Sequence, residues 1–366
     1  MTQFATLRPE IRARLHAGVV IPAHPLALTA DRTLDVARQR ALTRYYLAAG
    51  AGGVAVGVHT TQFAIRERGL YEPVLRLAIE TVRETVTPGD APPIAVAGVI
   101  GPTAQALAEA RIAAELGYDL ALVGLGGTSG WSEDELVAHV RAVSEVIPVF
   151  GFYLQPSVGG RPLPYSFWRR VAELDGVHAI KMAPFNRYQT LDVVRAVAES
   201  SRRDEIALYT GNDDNIVADL LAAYRFEVDG VTVEKRIVGG LLGHWAAWTQ
   251  SAVRLLEACH AAIRTQDGAQ LLELLTLASQ VTDSNDAFFD SRHAFAGSIA
   301  GIHEVLRRQG LLGGRWCLDP AEDLSPGQLE EIDRVYAAYP HLNDDAFVRA
   351  HLDAWLQPTS ASIAAS

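Results

Sequence analysis

Among 366 residues only two are lysines, Lys181 and Lys235, against 30 arginines. Arginine supplies charge and forked hydrogen bonds, but its pKa above about 12 bars it from acting as a nucleophilic amine. A lysine kept in so arginine-biased a chain is a candidate for amine chemistry, with a plain salt bridge as the bland alternative. Lys181 sits near the end of the apolar run Val177 to Met182. If that run is a strand, alternation sets Val177, Ala179 and Lys181 on one face and His178 and Ile180 on the other. A lysine facing a barrel interior loses hydration, its pKa falls, and the neutral amine can attack a carbonyl. Tyr153 ends the preceding run in Gly151-Phe152-Tyr153-Leu154-Gln155-Pro156, where a phenol could carry protons to and from an imine or an aldol hydroxyl. An earlier run ends in Val58-His59-Thr60-Thr61-Gln62, whose amides and hydroxyls could hold a carboxylate without an arginine.

Stepping outward from these residues, short β-branched apolar runs alternate with helix-period segments, the mark of βα units around a parallel sheet. The strand candidates are 19–23, 53–58, 94–99, 120–123, 149–154, 177–182, 206–210 and 230–233. Helix ends are marked by Gly50 and Gly117 and by a capping box at Ser132 and Glu135. Eight repeats in about 245 residues fit a (β/α)8 barrel better than an open doubly wound sheet of five or six strands. The expected division is an N-terminal extension over 1–17, a barrel over 18–262, a helical region over 263–355 and a disordered tail over 356–366.

The composition, 49% hydrophobic and 20% charged, is that of a globular protein with a large core. A net charge of −11 argues against nucleic acid or an anionic membrane as partner. Met1 to Gly18 lacks the apolar run of a secretory signal and no 18-residue apolar stretch follows, so a cytoplasmic location is expected. Cys259 and Cys317 read as packing residues.

Taken with their order, these features resemble the dihydrodipicolinate synthase and N-acetylneuraminate lyase family of Schiff-base aldolases. The family's Gly-Thr-Thr-Gly-Glu-like loop corresponds to His59-Thr60-Thr61-Gln62, its Tyr-Asn-x-Pro segment to Tyr153-Leu154-Gln155-Pro156, and its Gly-Ile-Lys-like segment to Ala179-Ile180-Lys181. The likeness runs from about Gly18 to Pro320. It implies that Lys181 forms an imine with a 2-oxo acid, that Tyr153 is the acid-base residue, and that Thr60 or Thr61 binds the carboxylate or relays protons. It also implies a homo-oligomer, a dimer or a tetramer, and no cofactor. Val158 replaces the synthase's arginine, Leu154 replaces the asparagine, and the second relay tyrosine after strand four is missing. The implied reaction is therefore imine chemistry on a different, less anionic substrate.

His59, Thr61, Gly211 and Lys235 are candidate substrate contacts, Lys235 as a substitute for the lost arginine or a neighbour lowering the Lys181 pKa. An ion pair with a residue such as Glu234 is the plainer role for Lys235. Gly124 to Gly130 spaces its glycines one residue too long for a dinucleotide loop. No complete metal-ligand spacing is present. The expected function is a class I aldolase-type lyase or hydro-lyase on a small 2-oxo acid or its aldol adduct. Two rivals stand beside it: a metal-assisted barrel enzyme using His24, His59 and Asp213, and a non-catalytic 2-oxo acid binding protein.

Overall fold

The computed structural model describes residues 4–87 and 89–358. Helix α1 (Pro9–Ala17) precedes β1 (Val20–Pro22), and α2 (Val36–Ala48), β2 (Gly53–Val56), α3 (Tyr71–Thr85), β3 (Ile94–Val99), α4 (Thr103–Leu116) and β4 (Leu120–Val123) follow in alternation. Next come α5 (Glu133–Ser144), β5 (Val149–Leu154), α6 (Tyr165–Val171), β6 (Val177–Ala183), α7 (Arg187–Ala198), β7 (Ala207–Thr210) and α8 (Ile216–Leu221). Strands β2 to β7 pair in sequence order and in parallel. The bridge between Ala23 and Ala55 brings β1 beside β2 and nearly closes a (β/α)8 barrel.

The eighth barrel strand is not the one expected over 230–233. Strand β8 (Ala223–Val228) turns through Asp229 and Gly230, both at positive φ, into the first half of β9 (Val231–Leu242). Two consecutive left-handed residues make the tight turn that suits a twisted hairpin, and an Asp-Gly pair tolerates it. That hairpin is antiparallel and largely exposed. Only the second half of β9 enters the barrel, pairing with β7 from Ile237 and with β1 over Gly240 to Leu242.

One apolar cluster fills the barrel, including Ile21, Val96, Leu122, Phe150, Phe152 and Ala179. It continues into α1, whose Ile11 and Leu15 are fully buried. The Tyr209 hydroxyl donates to the Leu15 carbonyl at 2.9 Å, and Arg14 Nε donates to the Gly52 carbonyl at 3.1 Å. Helix α1 thus closes the end where the strands begin. A second, larger cluster binds the strands' outer faces to the helices.

Beyond the barrel lie α9 (Thr249–Thr265), α10 (Gly268–Phe289), α11 (Ser298–Arg308), α12 (Gln328–Ala338) and α13 (Asp345–Leu356). Helix α10 ends and α11 begins over the carboxyl ends of the strands, because Phe289 and Ser298 both line the cavity there. The last eight positions of the expected tail, 359–366, lie outside the described residues.

Candidate active site

Lys181 and Phe152 are paired across β6 and β5, and the Lys181 Nζ lies 4.4 Å from the centre of the Phe152 ring. Both point into the barrel. The register shifts between Val149 and Phe150, so Val149 pairs with Val177 but Phe150 pairs with Ala179. This irregularity puts Val177 in the outer cluster, off the face it was expected to share with Ala179 and Lys181.

The amine opens into a narrow cavity of about 50 Å3. His59, Thr60, Gln155, Asp213 and Ser298 are its other polar lining residues, and Phe152, Phe185, Phe289 and Phe295 dominate the apolar wall. Lys181 is 7% exposed, and among the described residues no carboxylate oxygen lies within 4.0 Å of its Nζ. Burial therefore lowers the amine pKa to about 8, with the charge of Asp213 working in the opposite direction. Gly211 is what lets the side chain lie there: a Cβ at that position would stand 2.4 Å from Lys181 Cε.

Asp213 follows β7 and is 6% exposed. Burial raises its carboxyl pKa to about 7, against the stabilising His244 N–H, which donates to Oδ1 at 2.9 Å, and against the Lys181 charge. The imidazole of His59 is pushed down to about 4, by burial first and by Lys181 second. The cavity thus holds an amine and a carboxyl that both exchange protons near neutrality, the range in which acid-base groups work best. In the sequence Asp213 reads as a candidate metal ligand and as part of an acidic loop that repels anions; its position two residues past Gly211, in the loop after the strand next to that of Lys181, is the available signal.

Four expected residues are placed elsewhere. Tyr153 has its ring in the outer cluster beside Trp168, and its hydroxyl accepts the Leu163 N–H at 3.1 Å. It follows Phe152 on the opposite face of β5, so it does not reach Lys181. The Thr61 hydroxyl donates to the His24 carbonyl at 2.7 Å and accepts the Gly57 and Val58 N–H groups, which ties β1 to β2 and leaves it no free capacity. Lys235 lies in the hairpin half of β9, not at a strand end over the mouth, and donates to the Arg203 carbonyl. His24 bonds the Pro25 carbonyl and the Thr43 hydroxyl in the helix layer. Among the described residues no group of three or more His, Cys, Asp or Glu could hold a metal ion. Thr60 does line the cavity, but its proton is committed to the Ala23 carbonyl at 2.7 Å.

A 4-hydroxy-tetrahydrodipicolinate synthase of Bifidobacterium longum is 30% identical over 200 residues, 54% of this chain and 60% of that protein. An N-acetylneuraminate lyase of Citrobacter koseri is 27% identical over 206 residues, 56% of this chain and 65% of that protein. A dihydrodipicolinate synthase structure from Oceanobacillus iheyensis superposes with a TM-score of 0.71 at 17% identity, covering 91% of this chain and 99% of that one. The chain is similar to members of the dihydrodipicolinate synthase and N-acetylneuraminate lyase family and shares their barrel fold. An N-acetylneuraminate lyase structure from Fusobacterium nucleatum, with a TM-score of 0.67 at 16% identity, shares the fold over 88% of this chain. The chain spans less than two thirds of the length of those curated relatives, and no protein-family model matches it. Among the described residues no helix is long and apolar enough to cross a membrane.

Proposed function

We propose that the protein is a Schiff-base-forming lyase, an aldolase or hydro-lyase acting on a small 2-oxo acid or its aldol adduct, and that it is not a dihydrodipicolinate synthase. The observation that carries this reading is the Lys181 amine, buried without an ion-pair partner among the described residues, in a cavity it shares with Asp213. The names of the relatives support the reaction class. The missing arginine, with Val158 in the cavity wall, speaks against a second substrate carboxylate.

The neutral Lys181 amine adds to the ketone, and Asp213 gives a proton to the departing hydroxyl as the iminium forms. With a 4-hydroxy adduct, the C4 hydroxyl proton passes to Asp213 while the C3–C4 bond breaks. Its electron pair moves into the iminium, an aldehyde leaves, and an enamine remains. Protonation of the enamine at C3 and hydrolysis of the imine release the 2-oxo acid and restore the amine. His59 and Thr60 flank the substrate, and Gly211 gives the amine room. No cofactor enters these steps. We place the enzyme in the cytoplasm as a homo-oligomer, with the barrel over 18–262 as its catalytic part.

Trapping tests this. Borohydride with pyruvate should add the mass of the reduced adduct at Lys181, and Lys181→Ala should add none; no adduct in the wild type, or an adduct located at Lys235, would refute it. That no tyrosine among the described residues lines the cavity favours one second reading, a 2-oxo acid binding protein, which tight binding without turnover would establish.

A further inference from the structure

The Lys181 cavity ends at two phenyl rings. Phe185 follows β6 by two residues, Phe295 lies in the connection between α10 and α11, and their rings meet edge to face with centroids 5.5 Å apart. Behind them opens an outer cleft of about 590 Å3, with Asp214, Asn215, Thr282, Asp283 and Asp286 in its lining. Phe185 and Phe295 line both spaces, and no other described residue does. Both residues are half-buried, and both hold a positive φ, 51° at Phe185 and 68° at Phe295. A bulky side chain rarely adopts this left-handed region, and it persists only where the surroundings impose it. Here they do. The Phe185 N–H donates to Oδ1 of the fully buried Asn212 at 3.1 Å, and the Phe295 N–H donates to the carbonyl of the buried Asp290 at 3.0 Å. Glycine would hold either backbone without strain. What the phenylalanines add is the partition.

We propose that the Phe185–Phe295 pair is the size filter of the lyase, closing its cavity against the outer cleft and restricting it to short-chain 2-oxo acids and small aldehyde partners. This deepens the Schiff-base reading and rests on it. The closed cavity, about 50 Å3, holds on the order of four water molecules, room for a compact ketone with slight movement of the walls. A longer substituent on C3 has to leave it. One way out leads past Leu154, which also lines a second cleft of about 700 Å3 beside Arg66 and Glu109. Leu154 belongs to β5 and stands in register with Ala183 of β6, so the sheet fixes that wall. Phe185 and Phe295 lie outside the strands and helices, in connections able to absorb the backbone change that parting the rings requires. Parting them forfeits the edge-to-face contact and turns two phenyl faces towards an acidic cleft, which sets the penalty on a bulky substrate.

The test compares a short and a long 2-oxo acid in the full-length protein. Borohydride trapping on Lys181 is timed with pyruvate and with 2-oxo-4-phenylbutanoate in the wild type, Phe185→Gly, Phe295→Gly and Leu154→Ala. Each glycine suits the left-handed backbone, so the ring goes while the chain path stays. The rate with the long acid relative to pyruvate should rise roughly tenfold or more in each glycine variant. An unaltered ratio in either folded glycine variant, or a larger gain in Leu154→Ala than in both, overturns the proposal. Thermal stabilisation by 4-phenylbutanoate, which cannot form an imine, is read in parallel. The concentration giving half its effect should fall roughly tenfold in the glycine variants, and no fall in either also overturns the proposal. Failure of all trapping with that fall intact would instead sink the Schiff-base reading alone.

Discussion

Phe152 stands directly across the sheet from Lys181, and this pairing sends the next residue, Tyr153, out of the barrel. The phenol is therefore a packing group. Tyr153→Phe should leave pyruvate trapping and turnover within about twofold of the wild type. It should lower stability by ~1–3 kcal/mol, because the buried Leu163 N–H loses its acceptor. Urea unfolding beside a trapping time course checks both, and a hundredfold loss of turnover would return Tyr153 to the chemistry.

Asp213→Asn keeps an oxygen for the His244 N–H, so the fold should survive while proton transfer does not. Turnover should fall by a factor of ~10² to 10⁴. The pH dependence gives the sharper reading. Trapping in the wild type should rise with pH towards about 8, as the Lys181 amine loses its proton. The Asp213 charge opposes that loss, so removing it should move the trapping profile to lower pH. A profile that stays in place would mean that the two groups do not sense one another.

The same two groups burden the fold. The Asp213 pKa is raised to about 7 from a model-compound value of 3.8, so the stability its protonated form retains at low pH is lost as pH rises from 3.8 to 7. The Lys181 pKa is lowered from 10.5 to about 8, so its penalty is full below 8 and fades above it. Both penalties stand together between pH 7 and 8. The double variant Lys181→Met with Asp213→Asn should be more stable than the wild type there by ~1–4 kcal/mol, and by less near pH 4. Chemical unfolding at the two pH values decides, and a less stable double variant would contradict this account.

Gly211→Ala should displace the lysine without unfolding the barrel. The added methyl would meet Lys181 Cε at 2.4 Å and Ala183 Cβ at 2.9 Å. Misplacing a reacting group by about an ångström costs on the order of a hundredfold, so trapping should slow by that factor, with ~1–3 kcal/mol of stability lost to overpacking. An unchanged trapping rate would show that the lysine reaches the cavity by another path.

Much of this architecture was legible because strands covered on both faces are written as unbroken apolar runs, and six of the eight barrel strands follow them closely. Lys181 could be found because it stands near the end of such a run in a chain almost free of lysine. Tyr153 was misplaced because a motif fixes position along a strand but not its face, and a shift of one residue exchanges the two faces. Lys235 was misplaced because the hairpin at Asp229 and Gly230 carries the same β-branched residues as a barrel strand; only pairing distinguishes the halves of β9. Ser298 was out of reach altogether. It lies 117 positions beyond Lys181, in a helix whose start reveals its neighbours only after folding.

That separation orders the protein's birth. During synthesis the amine is made well before Phe289, Phe295 and Ser298, so a nascent chain that has completed all eight strands still carries its lysine beneath an unroofed pocket. Competence should appear only when the closing helices leave the ribosome, and a truncation after α9 should retain a barrel-like circular dichroism spectrum yet capture pyruvate no better than free lysine does.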